Sequence, residues 1–177
     1  MKSELDCIVQ AHKAGAVNRF HTVRLIHSES VAAHSWCVVN MVLALTHGSA
    51  SRGLILASHL HDVGEIATGD IPSPVKKALG KGAYDEWQGM EDAAKESMFP
   101  YLNGRDYITE EEMHILKVAD NMSGLLTCLT EYRMGNRMIR EIGDRYVAYL
   151  QDICNLMPKP TAELIHEWQQ EMIYGGK

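Results

Sequence analysis

The chain has 177 residues, of which 46% are hydrophobic and 23% charged, and its formal net charge is −6. This length can bury one ordinary hydrophobic core, and the composition excludes a disordered chain. Lysine and arginine are scattered without a basic tract, which argues against a nucleic-acid polymer as partner but permits a small phosphorylated ligand.

The amino terminus, MKSELDCIVQ, carries acidic residues and no long apolar run. It predicts neither a signal peptide nor a membrane span, so we expect no membrane partner and a cytoplasmic location. Apolar spacing then predicts a helix over residues 4–14 and an irregular polar stretch over 17–30. A strongly apolar helix follows over residues 31–46, with Ser28 or Ser30 as its N-cap.

The middle of the chain combines short helices with a rigid loop. Ser51 can cap a helix over residues 52–62. One glycine and two prolines predict that residues 65–74 form a non-helical loop. Short helical patterns then cover residues 75–79 and 84–98.

The last third of the chain is also helical. Thr109 and Glu112 form a capping-box pattern that opens a long helix over residues 110–134. Two further helices fit residues 137–157 and 162–173. No β-alternation, internal repeat or linker is visible, so we predict an all-α fold, one helical bundle domain over residues 1–177.

The four cysteines fit a reduced state. They lie far apart in apolar helical segments, without a CxxC pair, at positions Cys7, Cys37, Cys128 and Cys154. This spacing argues against a zinc knuckle or a disulfide framework and predicts buried free thiols.

Four ionisable residues occupy apolar helical settings. His34 lies in the run SVAAHSWCVVNMV, and His61 and Asp62 close the apolar helix in LILASHLHDVGE. Asp120 lies in ILKVADNMSGLL. Buried ionisable groups need partners, and one shared cation would satisfy all four, whereas the alternative is separate polar core residues. Two imidazoles and two carboxylates suit zinc, manganese, iron, cobalt or magnesium and leave coordination positions for water and phosphate oxygens.

The order His, His-Asp, Asp on successive helices resembles the HD superfamily of metal phosphohydrolases. The string HDVGEIATGDIPSPVK, with NRFHT and ESVAAHS upstream and KVAD downstream, is similar to the small deoxynucleotidases of that superfamily. The similarity runs from about Asn18 to Tyr132. It implies an HD-domain helical bundle with a divalent metal ion, zinc, cobalt or manganese, with magnesium as a further option.

The resemblance implies roles for two acids in this string. Glu65 lies four residues after His61, so on a continued helix it would share the metal face and could orient or deprotonate an attacking water. Asp70, in a Gly-Asp-Ile-Pro turn, resembles the acid that these enzymes use near the leaving oxygen or the sugar. The alternatives are a solvated helix-end glutamate and a turn-forming aspartate.

The resemblance also implies five substrate-binding residues. Arg19, Lys76 and Lys117 would face the phosphates, although exposed lysines and arginines are more often solvated surface charges. Phe20 would lie against the base or sugar, with burial in the core as the alternative. Thr22 would stand near the base edge and hinder a 2-amino substituent.

The family leaves the substrate open. We favour a dATP triphosphohydrolase, which converts dATP and water to deoxyadenosine and triphosphate and purges dATP from a phage nucleotide pool. The run GAVNRFHT and the compact length are similar to that enzyme. The alternatives are a 5′-deoxynucleotidase that hydrolyses deoxyribonucleoside 5′-monophosphates and a non-catalytic nucleotide-binding HD regulatory protein.

We also predict the partners of the chain and its cellular location. The partner is a small deoxynucleotide, and the chain forms a homo-oligomer, a dimer or a hexamer. If a phage encodes the chain, the predicted location is the cytoplasm of the host.

Overall fold

The computed structural model describes residues 3–100 and 108–175, and within them the regular elements are helices. The α-helices are α1 (Glu4–His12), α2 (Val31–Leu45), α3 (Arg52–Leu60), α4 (Glu65–Thr68), α5 (Ser73–Ala78), α6 (Lys81–Met98), α7 (Glu110–Arg133), α8 (Arg140–Ile153) and α9 (Lys159–Tyr174). Short 3-10 helices cover Lys13–Ala16 and Arg137–Ile139. In the described chain, β-type pairing is limited to one antiparallel bridge between Asn18 and Ser30. The all-α prediction is confirmed.

Side-chain caps begin three helices at the predicted positions. The Ser30 hydroxyl accepts a hydrogen bond from a backbone N–H in the first turn of α2, and Ser51 does the same for α3. Thr109 and Glu112 make both bonds of the capping box that opens α7. Each cap satisfies backbone donors at the helix end and stabilises it by about 0.5–2 kcal/mol.

Several helix boundaries differ from the prediction, most clearly those of α5, α6 and α8. α5 begins at Ser73, because Pro72 provides an extended N-cap and a proline fits the first helical turn. α6 begins at Lys81, directly after the extended Gly80. The predicted helix over residues 137–157 opens as a 3-10 turn and ends at Ile153.

The chain turns immediately after α3. That helix ends at Leu60, and residues 61–64 form a turn before α4. His61 and Glu65 therefore do not lie on one continuous helix. The expectation that they share a face of a single helix is corrected: the turn brings them to the same region.

The prediction of a non-helical loop over residues 65–74 is wrong at both ends, since α5 already begins at Ser73. Glu65–Thr68 form the short helix α4, which ends at Gly69 with a φ of 75°. Tertiary packing explains the difference, since α4 lies against α6. A Cβ atom at Gly64 would lie 2.6 Å from the Cβ atom of Glu91, so only glycine allows this approach.

α7 is the central helix and packs against α2, α3, α8 and α9. Its buried Leu125 joins Leu150 of α8 and Trp168 of α9 in one core cluster. A second cluster contains Val42 of α2 and Leu54 of α3. Burial of one such side chain contributes about 1.5–3 kcal/mol. These contacts fix α2, α3 and α7 relative to one another, and all four predicted metal ligands lie on these helices or directly after them.

The irregular stretch before α2 is tied to α7 by a buried carboxylate. Glu131 is 1% exposed and accepts hydrogen bonds from the backbone N–H groups of Ile26 and His27 at 2.7 and 2.9 Å. Asn136 donates a third bond at 2.7 Å. Burial disfavours the charged form of Glu131, but these donors outweigh it and hold its pKa below the usual value.

The cysteines are free thiols, and three of the four are buried, with Cys37 half-buried. The helices of the described residues include none that is both long and apolar enough to cross a membrane.

Candidate active site

Four side chains from three parts of the fold converge. His34 projects from α2 and is fully buried, His61 and Asp62 follow α3, and Asp120 projects from α7. One ligand atom of each lies within 4.8 Å of the others. The Nε2 atom of His34 lies 3.2 Å from Nε2 of His61, 3.0 Å from Oδ1 of Asp120 and 3.5 Å from Oδ2 of Asp62. We call these four residues the HD cluster.

The spacing within the HD cluster fits a divalent cation. Ligand atoms at about 2.1 Å from one ion lie about 3.0 Å apart when they are neighbours. The distances of 3.0–3.9 Å from the imidazole Nε2 atoms to the carboxylate oxygens are close to this value. Two imidazole nitrogens 3.2 Å apart repel each other if both present lone pairs, unless positive charge lies between them.

Buried oxygens fix both imidazoles in this orientation. Nδ1 of His61 donates to the backbone carbonyl of Ser58 at 2.8 Å. Nδ1 of His34 lies 3.0 Å from the hydroxyl of Ser123. A donor bond from Nδ1 leaves the lone pair on Nε2 free to coordinate, which is the usual arrangement around metal-binding histidines.

Electrostatics in the HD cluster favour charged carboxylates. Burial raises the pKa values of Asp62 and Asp120, but the two histidines outweigh it and lower both pKa values. Burial lowers the pKa of His61, but both carboxylates outweigh it and raise that pKa. The protein thus holds two partly buried carboxylates close together, an arrangement that compensating positive charge stabilises.

Glu65 lies beside the HD cluster at the start of α4. Its side chain is 2% exposed, and Oε1 accepts a charged hydrogen bond from Lys76 at 3.3 Å. Oε2 is buried and finds no hydrogen-bond partner among the described residues. Burial, Asp62 and Asp70 raise the pKa of Glu65 to about 8, against the opposing effect of Lys76. This carboxyl group therefore has one basic oxygen available.

Lys76 is held on two sides. Besides its bond to Glu65, its ammonium group lies 4.6 Å from the ring centroid of Trp87, a cation–π distance. Trp87 belongs to α6 and is 6% exposed. The structure thus brings Lys76 to the site, where it is paired with Glu65.

Arg19 reaches the HD cluster from the irregular stretch. Its Nη1 atom donates to Oδ2 of Asp62 at 2.7 Å, and its Nε atom lies 3.4 Å from a carboxylate oxygen of Glu29. Burial disfavours the charged guanidinium, but Asp62 and Asp120 outweigh it and raise the pKa of Arg19. Arg19 is therefore a permanent cation at the edge of the HD cluster.

Phe20 stands next to Arg19 in an unusual backbone conformation. Its φ is 54°, a left-handed value that bulky residues rarely adopt. Oδ2 of Asp70 accepts the Phe20 N–H at 3.2 Å and supports this conformation. The Phe20 ring meets Tyr146 of α8 edge to face, with centroids 6.5 Å apart. Phe20, Asp70 and Tyr146 thus form one connected group beside the HD cluster.

Gly124 allows Tyr146 to approach α7. A Cβ atom at position 124 would lie 2.3 Å from Cζ and 2.6 Å from the hydroxyl oxygen of Tyr146. Gly124 is one helical turn after Asp120, so the phenol lies against the part of α7 that carries this ligand.

Two of the predicted substrate-binding residues, Lys117 and Thr22, are exposed. Lys117 is exposed on α7 and lines a surface groove of about 420 Å³ together with Ile108 and Met113. Within the described chain, no ion pair joins it to the HD cluster. Thr22 lies exposed in the turn after Phe20.

The sequence analysis missed five residues that surround the site: Ser58, Ser123, Glu29, Trp87 and Tyr146. Helical spacing carried a signal for Ser58 and Ser123, which lie three positions from His61 and Asp120. Trp87 and Tyr146 come from distant elements, and no local pattern indicates their approach.

Comparison with known proteins identifies the family. Residues 10–162 match the family described as 5′-deoxynucleotidase YfbR-like. A 5′-deoxynucleotidase of Klebsiella pneumoniae is 32% identical over 139 residues, which cover 68% of this chain and 69% of the relative. One from Vibrio vulnificus is 34% identical over 140 residues, covering 68% and 71%.

Solved structures share the fold. An HD-domain phosphohydrolase from Listeria innocua has a TM-score of 0.67 at 17% identity, covering 96% of this chain and 86% of that one. The cyanophage S-2L HD phosphohydrolase DatZ, bound to dA and one catalytic Zn²⁺ ion, has a TM-score of 0.62 at 17% identity, covering 93% and 95%. At these identities the likeness concerns the fold. With the family match over most of its length, the chain belongs to the YfbR-like 5′-deoxynucleotidase family, within the HD superfamily of phosphohydrolases.

Proposed function

We propose that the chain hydrolyses the 5′-phosphate ester of deoxyribonucleoside monophosphates, releasing a deoxynucleoside and phosphate. The observation that carries this proposal is the HD cluster, whose ligand atoms lie within 4.8 Å of one another beside a buried glutamate. The relatives with at least 30% identity are named 5′-deoxynucleotidases, which supports this substrate class.

His34, His61, Asp62 and Asp120 would hold a divalent cation, for which zinc, cobalt and manganese are the candidates and magnesium a further one. Such an ion supplies Lewis-acid polarisation of a phosphoryl oxygen and a low-pKa water. Ser58 and Ser123 keep both Nε2 atoms turned toward the cluster.

Glu65 acts as the general base. Its free Oε2 accepts a proton from the attacking water, while Lys76 holds Oε1 and fixes the rotamer. Glu65 regains its carboxylate form when positive charge at the HD cluster offsets Asp62, one cause of its raised pKa.

The remaining site residues bind the substrate. Asp70 lies near the leaving oxygen or the sugar and fixes Phe20 through its backbone N–H. The Phe20 ring offers an apolar surface to the base or sugar, which discriminates little between bases. Thr22 borders the base edge. Arg19 contacts the phosphate from the edge of the HD cluster.

The charge balance of the site favours a monophosphate as substrate. The sequence alone favoured dATP. A triphosphate brings about two more negative charges, which require further donors. In the described part of the chain, Arg19 is paired with Asp62 and Glu29, and Lys76 is paired with Glu65. Lys117, the third predicted cation, is exposed without an ion pair to the cluster. The site cations thus balance site carboxylates more than a phosphate tail.

We expect a homo-oligomer, a dimer or a hexamer, in the cytoplasm, and light scattering of the purified protein tests the assembly.

Incubation with the four deoxynucleoside monophosphates and the four triphosphates, with cobalt or manganese, tests the reaction. Chromatography should resolve deoxynucleoside and phosphate from the monophosphates, and chelation should abolish their release. Release of triphosphate from dATP alone would identify the triphosphohydrolase. Nucleotide binding without any turnover would identify a regulatory protein.

A further inference from the structure

Arg19 is shared between two carboxylates of different character. Its Nη1 atom lies 2.7 Å from Oδ2 of Asp62, which is a short charged hydrogen bond. Its Nε atom lies 3.4 Å from Oε2 of Glu29, and both of these atoms are buried without a hydrogen-bond partner among the described residues. The contact with Asp62 is tight, and the contact with Glu29 is loose.

The tight contact uses an oxygen that belongs to the HD cluster. Oδ2 of Asp62 lies 3.2 Å from Nε2 of His61 and 3.5 Å from Nε2 of His34. A cation held by the HD cluster would draw on the same carboxylate, and its positive charge would repel the guanidinium. Arg19 then needs a second anionic partner in order to remain beside the site.

Glu29 is fixed in a position to provide that partner. Its Oε1 accepts a hydrogen bond from the hydroxyl of Thr127 on α7 at 2.9 Å. Its backbone carbonyl accepts the N–H of Arg19 at 2.8 Å, next to the bridge between Asn18 and Ser30. The side chain is 15% exposed, so water screens its charge only weakly. Thr127 and the backbone thus hold Glu29 still while Oε2 faces Arg19.

We propose that Glu29, held by Thr127, is a positioning residue that keeps the Arg19 guanidinium at the mouth of the HD cluster and directs its Nη atoms to the substrate phosphate. Glu29 acts through Arg19 and touches neither the cation nor the substrate. The inference rests on the proposed function, because it requires a phosphate at the HD cluster.

Isothermal titration calorimetry with two separate probes tests this role. The first probe is inorganic phosphate, titrated into the cobalt-loaded protein, and the second is Co²⁺, titrated into the metal-free protein. Glu29→Gln keeps an acceptor for Thr127 but removes the charge that faces Arg19. We expect phosphate affinity to fall roughly tenfold or more, the size of one charge-assisted hydrogen bond, with Co²⁺ affinity within about threefold.

Three further variants separate positioning from loss of structure. Thr127→Val should also weaken phosphate binding, by a smaller factor than Glu29→Gln. Thr127→Ser keeps the hydroxyl and should bind phosphate as the wild type does. Glu131→Gln alters the other buried acid that anchors the irregular stretch to α7, and it should lower Tm with phosphate affinity within about threefold. Steady-state kinetics with dAMP should show an increase in KM for Glu29→Gln that exceeds the fall in kcat.

The inference is overturned if Glu29→Gln binds phosphate as the wild type does, or if Glu131→Gln weakens phosphate binding equally. A parallel loss of Co²⁺ affinity also overturns it, because Glu29 would then support the cation ligands. Phosphate binding without turnover of dAMP would contradict the proposed function while leaving the role of Glu29 supported by the affinities.

Discussion

His34 and His61 turn the same ring nitrogen, Nε2, toward the HD cluster because buried oxygens hold their Nδ1 atoms. The holding group differs between them. For His61 it is the backbone carbonyl of Ser58, and for His34 it is the side-chain hydroxyl of Ser123. Both serines are fully buried, so the two contacts can be compared by equivalent substitutions.

Ser123→Ala should lower divalent-metal affinity by about tenfold or more, since it removes the group that orients His34. Ser58→Ala is the matched control: it removes a hydroxyl that donates to the carbonyl of Leu54, but the carbonyl that orients His61 stays. Titration of Co²⁺ into both variants, followed calorimetrically, measures the difference. Equal affinities in the two variants would show that the hydroxyl of Ser123 has no part in orienting His34.

Glu65→Gln should reduce kcat by about a hundredfold or more, the usual contribution of a general base, because the amide cannot accept the proton of water. Metal affinity should persist, since Glu65 is not one of the four ligands. Single-turnover assays on dAMP, paired with metal analysis of the purified variant, check both statements. Full activity would move the base role elsewhere, with Asp70 as the next candidate.

At the scale of elements, local signals predicted the helices that carry the site, and tertiary packing decided the rest. Ser30, Ser51 and the Thr109 capping box begin α2, α3 and α7 as their sequences indicate. α4 escaped prediction because it depends on the approach of Gly64 to α6, a contact between residues distant in sequence. The same limit applies to α7 and α8, where Gly124 accommodates the ring of Tyr146.

Gly124→Ala should destabilise the protein by about 1–3 kcal/mol, the usual cost of overpacking, because a Cβ atom would overlap the Tyr146 ring. Gly89→Ala is the control, since a Cβ atom at this exposed position of α6 has no heavy atom within 4 Å and alanine has a higher helix propensity than glycine. Urea unfolding should show opposite signs for the two changes in the free energy of unfolding. Unchanged stability in Gly124→Ala would mean that α8 shifts freely and that Tyr146 is not fixed beside Phe20.

For the whole molecule, residue type and apolar setting were enough to predict the HD cluster, but not its charge balance. Arg19 and Lys76 were predicted to face the phosphates, yet the fold pairs Arg19 with Asp62 across 43 residues and Lys76 with Glu65 across 11. The first pairing joins the irregular stretch to the turn after α3, and the second joins α5 to α4, so no periodicity in the sequence encodes them. These pairings support a monophosphate as the proposed substrate, and the predicted superfamily is confirmed by the family match.

An internal competition between dAMP and dATP tests the central claim most directly. Both nucleotides are present at equal concentration with one enzyme preparation and Mn²⁺ or Co²⁺, and chromatography follows their loss and the inorganic products. We predict that dAMP yields deoxyadenosine and phosphate with a kcat/KM at least about tenfold above that for dATP, the equivalent of one charged contact. Rapid formation of triphosphate from dATP with dAMP left intact would contradict the account.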